Sequence, residues 1–124
     1  MIDVRELAED ARRSGDGESY RIVVRTPALR IGVGARGRSR PAYFVEVTLD
    51  PFPHRPRVDP ARLEDAVAGA RRLAARGYSL TCQDDGRVSG ERAVGPRVLD
   101  REVDAVRSLV GTRKGDPVRG TYRD

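Results

Sequence analysis

The sequence contains few of the residues from which disulfides, metal centres and catalytic sites are usually built. Its 124 residues include one cysteine, one histidine and no tryptophan. Because Cys82 has no second cysteine to pair with, an internal disulfide and a multi-cysteine metal site are excluded. No apolar stretch approaches the roughly 20 residues of a membrane-spanning helix, and residues 1–6 lack the basic-then-apolar layout of a signal peptide. We therefore expect a cytoplasmic protein without membrane association, metal or cofactor.

Lysine is nearly absent too, and arginine takes its place. The 24 basic residues are all arginines except Lys114. A GC-rich genome explains this choice of residue but not the distribution of charge along the chain. Residues 20–57 contain eight arginines against Glu46 and Asp50, a net charge of +6, whereas residues 1–19 carry a net charge of −3. The basic excess therefore belongs mainly to one segment, and arginine is the residue that pairs with phosphates and stacks on bases.

The hydrophobic pattern predicts three helices and five strands in the order αβββαββα. Apolar stripes at helical spacing cover residues 4–14, 60–76 and 98–110, and strand-like segments cover residues 19–25, 29–34, 42–49, 78–82 and 87–93. Asp3 and Asp59 are placed as helix N-caps, and Gly77 as a helix end. We therefore expect one α+β domain over residues 1–110, a two-layer sandwich in which helices cover one face of a mostly antiparallel sheet of four or five strands.

The alternation also assigns the faces of the sheet. In the first strand, Tyr20, Ile22 and Val24 are predicted to point toward the helices. The opposite, open face is predicted to carry Arg21, Val23, Arg25, Arg30, Gly32, Gly34, Phe44, Glu46 and Thr48. The buried stripe of the second helix is predicted to contain Leu63, Ala66, Val67, Ala70, Leu73 and Ala74. The stripe of the third helix is interpreted as core, with a dimer contact as the alternative.

The open face is the candidate binding surface. Guanidinium groups contact phosphates without regard to base sequence, an exposed Phe stacks on a base, and glycines leave a flat floor for it. The loop after the second strand and the proline-rich connector would add further arginines and a ring. The predicted nucleic-acid-binding residues are Arg21, Arg25, Arg30, Arg36, Arg38, Arg40, Phe44, Phe52, Arg55 and Arg57. The alternatives are a solvated face whose arginines serve solubility, and a Phe52 that packs under its own loop.

Motifs of enzymes are present only in fragments. Residues 32–37 match the Gly-x-Gly-x-x-Gly pattern, but a strand rather than a helix follows them, so dinucleotide binding is not expected. Cys82 is interpreted as a small core residue, and a pairing with His54 as nucleophile and base is not expected. Asp84-Asp85-Gly86 is typical of a hairpin turn rather than of a metal site. We therefore expect no enzymatic activity and no catalytic residues.

The predicted architecture resembles the small α+β single-stranded-DNA-binding proteins of thermophilic archaea, the ThermoDBP-like group. The resemblance lies in a basic antiparallel sheet, residues 21–48, backed by helices such as residues 59–76, and it covers residues 1–110. These 124 residues do not include the long leucine-zipper extension of that group's named member, so neither a dimerisation mode nor a binding residue is carried over. The resemblance implies binding of single-stranded DNA.

The sequence thus predicts a non-enzymatic domain that binds single-stranded nucleic acid, with DNA or RNA left open. A homodimer is also left open. The alternative is a protein-interaction or assembly module that uses the same arginines on an acidic partner. The polar residues 111–124 are predicted to be disordered.

Overall fold

The computed structural model describes residues 1–51 and 60–110. The helices are α1 (Val4–Arg13), α2 (Pro60–Ala75) and α3 (Leu99–Val110), the last preceded by a 3-10 turn, Pro96–Val98. The strands are β1 (Glu18–Arg25), β2 (Leu29–Arg36), β3 (Ala42–Leu49), β4 (Ser79–Cys82) and β5 (Val88–Ala93). The predicted order αβββαββα is confirmed, whereas the prediction for residues 111–124 lies outside the described residues.

The five strands form one antiparallel sheet in the order β1-β2-β3-β5-β4. The first three strands follow one another as a meander, and the β4–β5 hairpin adds to it with β5 beside β3. The hairpin turns at Asp84-Asp85-Gly86, where the backbone N–H of Gln83 donates to Arg87 and Gly86 has a φ of 90°. A left-handed residue of this kind favours glycine, so the predicted turn is confirmed.

The helices all pack on one face of this sheet, as predicted. The helix α1 lies on β1 and β2, α3 on β2 and β3, and α2 on β3, β5 and β4. The largest side chains that are fully buried between the two layers are Leu7, Ile31, Leu73, Leu99, Val24, Val33, Val45, Val47 and Val106. Each such side chain contributes about 1.5–3 kcal/mol on burial. The core therefore lies on one side of the sheet, and the opposite side is the open face.

The strand β1 departs from the predicted alternation. Tyr20 pairs with Gly34 and Ile22 with Gly32, but the next paired residue is Val24, opposite Ile31, so a β-bulge falls between Ile22 and Val24. An extra residue shifts the side-chain alternation by one position. Tyr20 and Ile22 therefore lie on the open face.

The predictions that Arg21 and Val23 lie on the open face are wrong for the same reason. Arg21 pairs with Val33, whose side chain is in the core, and Val23 itself belongs to the core cluster. Arg25 lies after the bulge, opposite Arg30, and its predicted place on the open face is confirmed.

The helix α2 also packs differently from its predicted stripe. Ala66, Gly69 and Leu73 are its buried residues, whereas Leu63 and Val67 are 42% and 44% exposed. Gly69 packs closely against α3 and β3: a Cβ there would lie 3.2 Å from Leu49 and 3.6 Å from Val110. The prediction that Leu63, Val67 and Ala74 are buried is therefore wrong. The helix instead packs through the side that carries Gly69, because the missing side chain there allows the closest approach to α3 and β3.

Candidate nucleic-acid interface

The open face is the side of the sheet that no helix covers among residues 1–51 and 60–110. Across the paired strands it carries Glu18, Tyr20, Ile22, Arg25, Arg30, Gly32, Gly34, Arg36, Phe44, Glu46, Thr48, Ser89 and Glu91. This set contains three arginines and three glutamates. The open face is therefore balanced in charge, rather than strongly basic as the linear distribution of arginine suggests.

Two aromatic rings lie on the glycines of β2. A Cβ at Gly34 would overlap the Phe44 ring and the backbone carbonyl of Ser19, and a Cβ at Gly32 would overlap the outer end of the Tyr20 side chain. Strand glycines often mark such a close approach. The sheet surface at these two glycines, which the sequence predicted to be open to a base, is therefore covered by rings of the protein itself.

The exposure of these two rings differs. Phe44 is only 5% exposed, whereas Tyr20 is 44% exposed. The Arg36 guanidinium lies over the Phe44 ring, 4.1 Å from its centroid, as in a cation–π contact. The prediction of Phe44 as an exposed stacking surface is therefore wrong, and Tyr20 is the ring that this face presents to solvent.

Arg36 is committed to neighbouring carboxylates. It is the last residue of β2 rather than part of the following loop. Its Nε donates to Glu18 at 2.5 Å, and its two terminal nitrogens donate to the carboxylate of Glu91 at 2.5 and 2.6 Å. Hydrogen bonding to Glu91, above all, raises the pKa of Arg36 and outweighs the opposing effect of its partial burial. The guanidinium is thus held by the bidentate geometry that a phosphate would otherwise use.

Two other arginines that the sequence predicted to bind nucleic acid also make contacts within the protein. Arg21 donates to Glu6 of α1 at 2.7 Å and lies 3.6 Å from Asp10, on the helix side of the sheet. Arg38 donates to the backbone carbonyls of Ser14 and Gly15 at 3.0 and 2.7 Å. These carbonyls follow the C-terminal turn of α1, where a positive charge is favoured. Arg21 and Arg38 therefore tie α1 to the sheet and to the β2–β3 connection.

The remaining predicted arginines within the described ranges are Arg25, Arg30 and Arg40. Arg40 is exposed in the β2–β3 connection. Arg25 and Arg30 face each other across β1 and β2. Neither forms a side-chain hydrogen bond or an ion pair with the other described residues, and the Nε of Arg30 is buried without an acceptor there. These two guanidiniums are the ones on the open face that remain available to a ligand.

Tyr20 lies beside these two arginines. Its hydroxyl donates to Glu46 at 3.1 Å. Burial, together with the charge of Glu46 and its hydrogen bond, raises the pKa of Tyr20 to about 12, against the opposing charges of Arg30 and Arg25. The phenol therefore stays neutral near pH 7, and the ring is oriented by its hydrogen bond.

The sequence placed Tyr20 in the core and missed the roles of Glu18 and Glu91. The bulge that exposes Tyr20 has no signature in a period-two pattern. The one available signal was the pair of glycines in β2, because a strand glycine is frequently covered by an aromatic ring from the neighbouring strand. Glu91 belongs to a different predicted strand, 55 residues after Arg36, and only the strand order brings the two together.

Several other predictions fall outside the described ranges or on exposed positions. Phe52, Arg55 and Arg57 lie outside the described residues, as does His54. Cys82 is exposed on the edge strand β4, so its interpretation as a core residue is wrong. Residues 1–51 and 60–110 contain no cluster of three His, Cys, Asp or Glu side chains suited to a metal ion. In the same ranges, every helix is too short or too polar to cross a membrane.

The chain has no match among protein-family models, curated proteins or solved structures.

Proposed function

We propose that the protein binds single-stranded nucleic acid through the half of the open face that carries Tyr20, Arg25 and Arg30, without catalysing a reaction. The observation that carries this proposal is the exposed Tyr20 ring beside two guanidiniums that have no hydrogen-bond partner among the described residues. The setting that we propose is the cytoplasm, and the ligand is single-stranded DNA or single-stranded RNA. The resemblance to the ThermoDBP-like group points to the same class of ligand.

Tyr20 would stack on a base. Its ring crosses the sheet over Gly32, where the absence of a side chain lets it lie close to the backbone. The hydrogen bond to Glu46 holds the hydroxyl end, so little rotamer freedom is lost when a base arrives. Stacking of a base on an aromatic side chain contributes roughly 1–3 kcal/mol and tolerates every base. Tyr20 thus offers binding without base-sequence preference.

Arg25 and Arg30 would contact the phosphates next to that base. They lie opposite each other at the end of the β1–β2 pair, and their charges act on the Tyr20 hydroxyl. Neutralising phosphates releases counterions, so each such contact strengthens binding at low salt and weakens it as salt rises.

A single strand fits this surface better than a duplex. A ring lying flat on an open sheet reaches a base only if that base is unstacked and unpaired. Within the described ranges the open face carries no helix that could enter a major groove.

Fluorescence anisotropy with labelled oligo-dT and oligo-U at two salt concentrations tests the proposal. We expect Tyr20→Ala to weaken binding by roughly 5- to 150-fold, the equivalent of a lost stacking contact. Tyr20→Phe, which keeps the ring, should retain most of the affinity. Arg25→Ala and Arg30→Ala should each reduce the dependence of log K on log salt by about 1. Arg12→Ala, an exposed arginine on α1, is the matched control for loss of one charge and should have little effect.

Two results would contradict the proposal. One is the absence of binding to either oligonucleotide at low salt, and the other is a Tyr20→Ala variant that binds as tightly as the parent. Competition with poly-L-glutamate distinguishes nucleic-acid binding from the alternative, which is binding of an acidic protein. If it competes as well as an oligonucleotide of equal charge, the face is an interaction surface for an acidic protein, because a polypeptide of this kind has no bases to stack.

A further inference from the structure

A small cavity lies at the end of the open face, beside the turn between β1 and β2. Its volume is about 170 Å³, or about six times the roughly 30 Å³ that a water molecule occupies in the liquid. The polar side chains that line it are Arg25, Thr26, Arg30, Thr48, Asp50 and Arg87. The space is large enough for a small oxyanion with a few waters.

The lining is positive. Arg25, Arg30 and Arg87 face one lining carboxylate, Asp50, and Arg87 also pairs with Asp85 beside the cavity, so positive charges exceed these negative charges by one. Arg87 is shared between Asp50 and Asp85, with nitrogen–oxygen distances of 3.3 Å to each. These distances exceed the 2.7–2.9 Å of a strong charge-assisted hydrogen bond. Arg87 is therefore oriented by the two aspartates without being fully saturated by them.

Two polar groups in the lining have unused hydrogen-bonding capacity. The Nε of Arg30 is buried and has no acceptor among residues 1–51 and 60–110. Thr48 is 5% exposed, and within the described ranges its hydroxyl has only a long contact of 3.4 Å with the Ser89 hydroxyl. A buried donor without a partner carries a desolvation cost of about 1–3 kcal/mol. The terminal nitrogens of Arg30 have no hydrogen-bond partner among the described residues either, and they are the donors that an oxygen atom bound in the cavity would meet.

We propose that this cavity binds a phosphate group, and specifically the terminal phosphate of the strand whose bases stack on Tyr20. The second part rests on the proposed function. A terminal phosphomonoester carries a charge near −2 at pH 7, so the three arginines attract it more strongly than an internal phosphodiester, which carries −1. Thr26 and Pro27 of the β1–β2 turn form one wall of the cavity, so the site lies at the edge of the open face, next to the arginines proposed to contact the strand.

Inorganic phosphate is the first probe, with chloride at equal ionic strength as the reference. Proton–nitrogen NMR of the arginine side chains should show a saturable shift of the Arg30 Nε–H signal with phosphate. Arg87→Gln and Thr48→Val should each weaken that response. Arg71→Ala, an exposed arginine of α2 outside the cavity, should leave it unchanged. No shift in the parent protein would overturn the phosphate site.

Oligo-dT carrying a 5′- or 3′-phosphate is the second probe, compared with the same oligonucleotide ending in hydroxyl groups. One phosphorylated form should bind about tenfold tighter, as expected for a charge-assisted contact. Arg87→Gln should abolish this preference while leaving the affinity for the hydroxyl form nearly unchanged. Equal affinities of the three oligonucleotides in the parent protein would overturn the terminal-phosphate assignment.

The outcomes for the two proposals are separable. Binding of oligonucleotides without a phosphate preference and without the Arg30 shift would retain the proposed function and remove the phosphate site. An Arg30 shift with inorganic phosphate, in a protein that binds no oligonucleotide, would retain the phosphate site and assign it to a small phosphate-bearing molecule.

Discussion

The two ends of β2 each place an arginine on the open face, and the two side chains have different surroundings. Arg36 donates to Glu18 and Glu91 and covers the Phe44 ring. Arg30, six positions earlier on the same strand, has neither a carboxylate nor a ring as its partner among the described residues. The difference comes from the neighbouring strands. Glu18 of β1 lies opposite Arg36, and Arg36 reaches across the Phe44 ring to Glu91 in the middle of β5, whereas Arg25 and Thr48 flank Arg30.

The comparison shows that an arginine-rich sequence does not by itself make a binding surface. Surface ion pairs such as those of Arg36 contribute little to stability, about 0–1 kcal/mol each. They do, however, occupy the guanidinium with the geometry that a phosphate requires. The Arg36 end is therefore structural, and the Arg30 end is the part of the face that remains available for a ligand.

The largest expected effect distinguishes the two rings. Phe44→Ala should lower the free energy of unfolding by about 3 kcal/mol, the low end of the range for a buried Phe, because its ring fills the space between Gly34 and Arg36. Urea denaturation followed by circular dichroism measures this. The folded variant should keep its oligonucleotide affinity, in contrast to Tyr20→Ala. A stable Phe44→Ala protein with lost affinity would reverse the assignment of the two rings.

The glycines under the two rings should separate stability from binding. Gly34→Ala should cost about 2 kcal/mol, because the added methyl group meets the backbone carbonyl of Ser19 as well as the Phe44 ring. Gly32→Ala should cost less than about 1 kcal/mol, since the partly exposed Tyr20 side chain can swing aside.

In Gly32→Ala, displacement of the Tyr20 ring should nevertheless weaken oligonucleotide binding several-fold, as expected for the loss of part of a stacking contact. Urea midpoints and anisotropy on both glycine variants give the two readouts. Equal stability losses for Gly32→Ala and Gly34→Ala would show that the two rings are equally fixed.

The smallest effect is expected for Glu91→Gln, which removes a carboxylate from Arg36 and makes its surroundings more like those of Arg30. Glu91→Gln should lower the free energy of unfolding by about 0.5–1 kcal/mol, because the side chains of Glu91 and Arg36 are both partly exposed and their interaction is screened. The terminal nitrogens of Arg36 lose their charged partner while its Nε stays bound to Glu18, so oligonucleotide affinity at low salt should rise a few-fold. Glu64→Gln, an exposed position on α2 with the same charge change, is the control. A similar gain in affinity for both variants would attribute the effect to net charge alone.

The pH dependence of the Glu91 contribution has a defined sign. The hydrogen bond from Arg36 lowers the pKa of Glu91 below its ordinary value of 4.5, against the effect of burial. A carboxylate with a lowered pKa in the folded state stabilises the protein above its unfolded pKa. The stability difference between the parent and Glu91→Gln should therefore be full above about pH 5.5 and shrink as the pH falls through the lowered pKa.

The order of the elements and most of their limits followed from the sequence. The strand β3 has the predicted limits, residues 42–49, and α1 begins at Val4 after the Asp3 cap, whose side chain accepts from the backbone of Arg5 and Glu6. Local rules suffice for these features, because a helix cap, a turn glycine and an alternating strand depend on residues a few positions apart.

The placement of the candidate site required the tertiary structure. The sequence determined that the basic charge lies in residues 20–57 and that a sheet with one open face carries part of it. Only the folded chain decided which arginines remain available, because a single bulge moved Tyr20 onto that face and Arg21 off it. The pairing of β3 with β5 then brought Glu91 to Arg36. The physical reason is that side-chain direction changes with one extra residue and ion pairing depends on strands distant in sequence.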